Sequence, residues 1–277
     1  KNTQMMLKLE AVTENLGTIC NGRAWVIVTS QEDIDAVLGR MQGSKSEDFS
    51  KIQARFERIS LSSSNTNEVS EKRLLEKTEP AKKELAKLYE EKGDIIRNQL
   101  SFEQSNSAEL ANYTSTDNFI NSYPFIPYHY NLVQKIFAGI SRAGETGAHM
   151  SQGERSLIDA FQIATSHFLE NNVGQLIPVY SFYSSIKKFL DTAVVRDINH
   201  AAEKSSINEF TINVLKTLFM IRYVDDVKST LDNLVTLCIT EVDQDKRTLR
   251  LDLEASLNIL ERNLLIARQG EEYIFLT

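Results

Sequence analysis

The side chains best suited to phosphate chemistry in this sequence are hydroxyl and guanidinium groups that flank two short apolar runs. Thr29, Ser30 and Gln31 come directly after the run AWVIV, and Arg55 and Arg58 precede the run ISLS. A guanidinium stays charged and can donate to two phosphate oxygens at once. A polar group at the end of a core strand can orient the water that attacks a phosphate. These residues suggest a role in phosphoryl transfer.

The same placement is typical of AAA+ ATPases, in which an arginine that precedes the last core strand stabilises charge on a neighbouring subunit's nucleotide. Arg55 is the best candidate for this arginine and Arg58 the second. Plainer interpretations stand beside this one. Ser30 suits the N-cap of the next helix, with Asp33 at the capping-box position, and either arginine could form a surface ion pair.

The rest of a nucleotide site is missing from the sequence. It contains no GxxxxGK followed by Ser or Thr, no GxGxxG, and no apolar run that ends in paired acids. The stretch SQGER, Ser151 to Arg155, is similar to the signature loop of ABC-type ATPases. Its plainer interpretation is a loop broken by Gly153, with Ser151 near the cap of the next helix. The chain alone is therefore not expected to transfer phosphate.

Composition narrows the class of protein. The chain has 277 residues and a formal net charge of −7, which argues against a surface that is basic throughout. Four prolines and 11 glycines are few for this length and favour long helices. Cys20 and Cys238 lie far apart and the four histidines are scattered, so no metal site is expected. No apolar run approaches the length of a membrane span.

Apolar periodicity predicts a mainly α fold with a small α/β portion. A helix over 3–19, a buried strand at 24–28, a further helix and a strand at 58–62 give the α/β alternation. A charged helical stretch over 67–100, interrupted near Pro80, follows. Further helices are predicted at 129–141, in ERSLIDAFQIATSHFLEN, and as one continuous element through VYSFYSSIKKFLDTAVVRDINHAA.

The last 70 residues predict three helices followed by a β-hairpin, which is the element order of a winged helix. The third helix carries Lys246, Arg247, Arg250 and Arg262, but also five acidic residues between 243 and 261. This balance lacks the positive bias that DNA binding requires, so a protein contact is an equal alternative. The aromatic stretch YPFIPYHY could stack on bases or belong to the core.

Six stretches, taken in order, resemble a single family: NGRAWVIVTSQEDID, DFSKIQARF, ISLSSSNTNEVSEKRLLEKT, FINSYPFIPYHYNLVQKIF, GERSLIDAFQ and EEYIFLT. Together they closely resemble the BrxC/PglY family, the large P-loop ATPase of bacteriophage-exclusion (BREX) systems. In that family a P-loop and an acidic Mg²⁺-binding strand precede the matched segment, and further domains follow it. We therefore expect this sequence to be an internal fragment.

The resemblance implies a cytoplasmic AAA+-like ATPase of a defence system that uses ATP and Mg²⁺ and forms a homo-oligomer. It implies partners among the other BREX subunits, including an adenine methyltransferase, contact with DNA as a further possibility, no membrane association, and a block on phage DNA replication. Residues 1–62 would be the end of the ATPase core, 63–205 a helical lid, and 206–277 a winged-helix-like domain. The fragment alone would hold neither ATP nor Mg²⁺.

Residue by residue, the resemblance implies that Thr29 or Ser30 is the sensor-type polar group and that Arg55 is the arginine finger. It suggests Arg73, in EKRLLEK, as a lid arginine near the nucleotide. It also implies that the similarity of SQGER to an ABC signature is coincidental. The alternative hypothesis is a helical scaffold with a winged-helix module that binds protein or DNA and has no ATPase role.

Overall fold

The structure is a computed structural model. It describes residues 66–103, 110–143, 154–166, 168, 172–190 and 192–276, together with scattered residues between 12 and 27. The chain divides into two compact units, residues 1–62 and residues 63–277. The second unit contains nearly all of the described residues. Its architecture is mainly helical, with one two-stranded sheet among the described elements.

Two described residues of the first unit belong to the apolar run AWVIV. Trp25 and Ile27 lie outside any strand, and 88% and 89% of their surfaces are exposed. The expectation of a buried strand is wrong at these two positions. An apolar run is buried only where other elements cover it, and periodicity does not reveal whether they do. The predicted strand at 58–62 and the helix before it lie outside the described residues.

The second unit contains ten described α-helices and one hairpin. In chain order they are α1 (Thr66–Arg73), α2 (Glu79–Gln99), α3 (Thr116–Ser122), α4 (Tyr128–Ala143), α5 (Glu154–Ser166), α6 (Tyr183–Lys187), α7 (Thr192–Glu203), α8 (Glu209–Ile221), α9 (Leu231–Leu237), α10 (Lys246–Arg262), β1 (Ile266–Gln269) and β2 (Glu272–Phe275). None of the described helices is both long and apolar enough to cross a membrane.

Local sequence accounts for several helix boundaries. The predicted break near Pro80 is confirmed, since α1 ends at Arg73 and Pro80 lies in the first turn of α2, where its missing N–H costs no helical bond. Side-chain caps begin several later helices. The oxygens of Ser115, Asn208 and Asp245 each accept a backbone N–H from the first turn of α3, α8 and α10.

The core of the second unit is rich in aromatic side chains. Phe125 packs edge-on against Phe161 of α5, with ring centroids 4.8 Å apart, and against His129 at 6.2 Å. Phe125, His129 and Phe161 are fully buried. The YPFIPYHY stretch therefore belongs largely to the core, and these rings are not available to stack on bases.

One predicted helix is broken in the structure. The stretch VYSFYSSIKKFLDTAVVRDINHAA was expected to be continuous, but it forms a 3₁₀ turn at Val179–Phe182, then α6, then α7. The chain leaves the helix after Lys187 and re-enters it at Thr192. Apolar residues recur at helical spacing on both sides of the break, so the pattern alone did not reveal it.

The C-terminal part confirms the predicted order of three helices and a hairpin. The strands β1 and β2 pair antiparallel around Gly270, which has a φ of +65°. Residue Thr230, between α8 and α9, forms a bridge to Glu272 on the other side of β2. The strand β2 is therefore central, with β1 on one side and the short segment before α9 on the other. Four leucines, Leu249, Leu253, Leu257 and Leu260, form the buried stripe of α10.

Candidate functional site

The predicted catalytic residues Thr29, Ser30 and Arg55 lie outside the described residues, as do Ser151 and Gly153 of the ABC-like loop. Their roles therefore stay predictions. Among the described residues, no group of three or more His, Cys, Asp or Glu side chains is placed to hold a metal ion.

Arg73, the predicted lid arginine, is the last residue of α1 and is exposed. It has no ion-pair partner among the described residues. A cation in the last turn of a helix is favoured by the helix dipole, which gives Arg73 a structural role without any nucleotide. The structure leaves the guanidinium accessible to solvent.

The C-terminal helices and hairpin offer the best-defined candidate site. In helix-turn-helix proteins the N-terminal end of the third helix enters the DNA groove, while the second helix crosses the backbone. The corresponding elements here are α10, α9 and the turn between them at 238–245. This arrangement identifies the surface on which a winged-helix-like module would meet its ligand.

Helix α2 and the segment after it lie against this surface. Lys92 donates to Asp243 at 2.6 Å, and the side chain of Gln99 donates to the carbonyl of Gln244 at 3.1 Å. The hydroxyl of Thr236 donates to the carbonyl of Ser101 at 3.2 Å. We call α2 and residues 100–103 the buttress, since they contact α9 and the turn that leads into α10.

One more contact ties the buttress to α9. The backbone N–H of Glu103 donates to the side-chain oxygen of Asn233 at 2.9 Å. The Asn233 amide nitrogen in turn donates to the carbonyl of Lys228 at 3.0 Å. Asn233 is 2% exposed. Its side-chain oxygen accepts from the buttress and its nitrogen donates to the segment before α9, so this buried amide has a hydrogen-bond partner at each polar atom.

A groove of about 350 Å³ lies between residues 101–103 and the helices α9 and α10. Its lining residues carry both charge signs: Ser101, Glu103, Asp232, Val235, Thr236, Lys246, Arg247 and Arg250. The Arg250 guanidinium forms an ion pair with Asp232, and its Nε lies 3.5 Å from Glu254. The most central arginine of α10 is therefore already neutralised by two acids of the same module.

Among the other charged residues at the start of α10, Asp245 is the N-cap of the helix. Asp245 accepts from the Thr248 hydroxyl at 2.6 Å and from the backbone N–H of Arg247 at 2.9 Å. The hydrogen bond from Thr248, followed by the backbone bond from Arg247, lowers the pKa of the Asp245 carboxyl. Half-burial lowers the pKa of Lys246, and the charge of Asp232 offsets part of this effect. Arg247 remains exposed.

The hairpin is also poor in positive charge. Its tip contains Gly270, Glu271 and Glu272, while Arg268 donates to the carbonyl of Gly270 at 3.0 Å and lies over the Tyr273 ring. A wing that enters a DNA minor groove relies on basic side chains, because the groove is strongly negative. This tip presents two carboxylates instead.

Sequence analysis identified the elements of this site but not the buttress. Lys92 and Asp243 are separated by 151 positions, and nothing in either local sequence indicates that they meet. The local sequence of α2 indicates only a charge-rich helical face, for which the plainest interpretation is a solvated surface. That interpretation is right for Lys87 and Glu91, whose charged atoms are 3.9 Å apart on the exposed face.

No protein-family model and no solved structure matches this chain.

Proposed function

We propose that this chain is a segment of a P-loop ATPase subunit of the BREX type, in which a winged-helix-like module follows a helical lid. The resemblance of six ordered stretches to the BrxC/PglY family motivates the proposal. In it, residues 1–62 are the end of a AAA+-like core, Thr29 or Ser30 acts as the sensor group, and Arg55 acts as the finger. ATP and Mg²⁺ bind to the parent subunit in the cytoplasm, and an adenine methyltransferase is among its partners.

The observation that best supports the module is the pairing order of its strands. A winged helix has a short strand between its first two helices, and that strand pairs with the second strand of the hairpin. Here Thr230, between α8 and α9, bridges Glu272 of β2, and β2 pairs with β1. Helix order and strand order together favour a winged helix over an arbitrary set of three helices and a hairpin.

The finger assignment is tested by mixing subunits of the longer parent protein. One variant carries Arg55→Ala and the other lacks the P-loop lysine. Each should be nearly inactive alone, because one lacks the arginine and the other the phosphate cradle. If Arg55 acts across a subunit interface, mixing restores ATP hydrolysis in interfaces that pair an intact P-loop with an intact Arg55. No recovery on mixing, or full activity of Arg55→Ala alone, would contradict the assignment.

We further propose that the winged-helix-like module contacts protein rather than DNA. Three observations support this: the buttress lies on the helix-turn-helix, Arg250 is paired with two acids, and the wing tip is acidic. Residues 206–277 contain eight lysines and arginines against twelve aspartates and glutamates. DNA affinity depends on releasing counterions from phosphates, which requires an excess of unpaired cations.

Fluorescence anisotropy with a labelled 25-base-pair duplex tests this choice. We expect no saturable binding up to about 10 μM protein at physiological salt. This concentration lies within the range of dissociation constants of non-specific DNA-binding proteins. Arg247→Ala should leave this unchanged. Saturable binding that weakens steeply with salt and is lost in Arg247→Ala would favour the DNA alternative.

A further inference from the structure

The groove between residues 101–103 and the helices α9 and α10 contains two cations that nothing in the described part of the chain neutralises. Lys246, Arg247 and Arg250 all line it. Lys246 and Arg247 lie four and three positions before Arg250, so all three share the face of α10 that borders the groove. Arg250 is paired with Asp232. Lys246 and Arg247 have neither an ion pair within 4 Å nor a side-chain hydrogen bond to a described residue.

The two acids that line the groove leave these cations unpaired. Asp232 forms its ion pair with Arg250. Glu103 is exposed on the opposite wall, and its carboxylate reaches no described cation at ion-pair distance. Burial lowers the pKa of Lys246, and the charge of Asp232 offsets only part of this effect. An ammonium group that is partly removed from water is stabilised by an anion beside it, so the groove favours a negatively charged ligand.

The wall of the groove opposite α10 is anchored to the core. The ring of Phe102 packs edge-on against that of Tyr128, with ring centroids 4.9 Å apart. The Tyr128 hydroxyl donates to the carbonyl of Thr236 at 3.4 Å, and the Thr236 hydroxyl donates to the carbonyl of Ser101 at 3.2 Å. Tyr128 is 1% exposed. Both walls of the groove are therefore held by the same packed helices.

The shape of the groove suits a peptide better than a DNA duplex. An α-helix with its side chains is about 10–12 Å across and the major groove of DNA is about 12 Å wide, so a recognition helix fills the groove that it enters. Residues 101–103 lie across from the first turn of α10 and would occupy the space that the DNA backbone needs. A volume of about 350 Å³ is at the lower end of the range for small-ligand sites. An extended segment that inserts one or two side chains would fit.

We propose that this groove binds an acidic segment of a protein partner, with a carboxylate held by Lys246 and Arg247. The inference rests on the proposal that the winged-helix-like module contacts protein, and it names the chemistry of that contact. A guanidinium can donate to both oxygens of a carboxylate, and an ammonium supplies three further donors. The two unpaired cations exceed the one unpaired acid of the lining, Glu103, by a single charge. One aspartate or glutamate side chain of the partner supplies it.

Fluorescence anisotropy tests the site with a fluorescein-labelled peptide of eight glutamates, titrated with the full chain at physiological salt. We expect saturable binding of this peptide and none of a peptide of eight glutamines. Lys246→Met and Arg247→Met each remove a charge and should each weaken binding roughly tenfold. Arg262→Met is the matched control. It removes an exposed arginine about 22 Å further along the same helix and should leave the affinity unchanged.

Glu103→Gln provides a test from the opposite wall of the groove. It removes a negative charge that repels a carboxylate bound to α10, so it should strengthen binding severalfold. Glu261→Gln removes an exposed acid at the far end of α10 and should change nothing. Circular dichroism establishes that each variant is folded before it is titrated.

The inference is overturned if the wild type shows no saturable binding of the glutamate peptide, or if the glutamine peptide binds equally well. It is also overturned if folded Lys246→Met and Arg247→Met both bind like the wild type. None of these results affects the proposal that the module contacts protein, because that proposal is tested with duplex DNA. If the duplex binds saturably and displaces the peptide, both proposals fail, and Lys246 and Arg247 are then contacts to DNA phosphates.

Discussion

Lys92 and Asp243 form an ion pair of 2.6 Å that joins helix α2 to the turn between α9 and α10, 151 residues away. The hydrogen bond from Lys92 lowers the pKa of the Asp243 carboxyl, an effect that burial partly offsets. Both side chains are partly exposed, so the pair adds little stability by itself. Its importance is positional, since it places the buttress beside the first residues of α10.

The buried contact of the buttress should contribute more than its ion pair. Asn233→Ala removes the acceptor of the Glu103 N–H and the donor to the Lys228 carbonyl. We expect the free energy of unfolding to fall by about 1–3 kcal/mol, because two backbone groups lose a partner. Urea denaturation followed by circular dichroism measures this. Asn258→Ala, on the exposed face of α10, is the matched control and should cost under about 0.5 kcal/mol.

Helix α4 approaches the turn after α8 too closely for any side chain at Gly139. A Cβ there would lie 2.5 Å from the Tyr223 Cβ and 2.8 Å from its carbonyl oxygen. Gly139→Ala should therefore destabilise the protein by about 1–3 kcal/mol, although alanine normally favours a helix. Gly93→Ala in α2 provides the contrast, because it meets only the Tyr89 ring, at 3.3 Å. Thermal denaturation measures both variants. Equal decreases in melting temperature would contradict the close approach of Gly139 to Tyr223.

Buried His129 should make stability depend on pH. Its Nδ1 accepts the N–H of Ile126 at 3.1 Å, and complete burial lowers its pKa to about 3. An unfolded histidine titrates near pH 6.5, so between pH 6.5 and about 3 the unfolded state binds a proton that the folded state does not. Stability is therefore complete above pH 6.5 and falls as the pH decreases, by roughly 1.4 kcal/mol per unit at most.

Comparing unfolding free energies of wild type and His129→Phe between pH 7 and pH 4 isolates this contribution from that of the carboxylates. As the pH falls, the free energy of unfolding of the wild type should decrease more than that of His129→Phe. His200→Gln, at an exposed position of α7, should follow the wild-type curve. A His129→Phe curve parallel to wild type would mean that this histidine is not held neutral.

Arg222 connects the hairpin to α8 through aromatic rings. Its guanidinium carbon lies 5.3 Å from the Phe219 centroid, 4.6 Å from that of Tyr223 and 5.3 Å from that of Phe275. Arg222→Ala should lower the free energy of unfolding by about 1–2 kcal/mol. Arg222→Lys should lower it less, because lysine keeps the positive charge and loses only the flat surface of the guanidinium. Arg268→Ala, over the single ring of Tyr273 near the exposed tip, should cost less than Arg222→Ala in the same thermal denaturation assay.

Much of the second unit could be predicted from local sequence. The four leucines of α10 repeat at helical spacing, Gly270 marks the hairpin turn, and Pro80 marks a break in the charged helical stretch. Each feature is found there. These signals are local, because they depend on the 3.6-residue period and on the backbone preferences of single residues. The break between α6 and α7 was missed for the same reason, since apolar spacing continues across it.

Sequence by itself therefore determined the helical class of the second unit, its C-terminal element order and the motifs that resemble BREX ATPases. The roles of Thr29, Ser30 and Arg55 stay predictions. Only the tertiary structure decided that Lys92 meets Asp243, that Thr230 pairs with β2, and that Lys216 lies over the Tyr183 ring. These contacts join residues far apart in the chain, and their formation depends on how whole helices pack rather than on any local pattern.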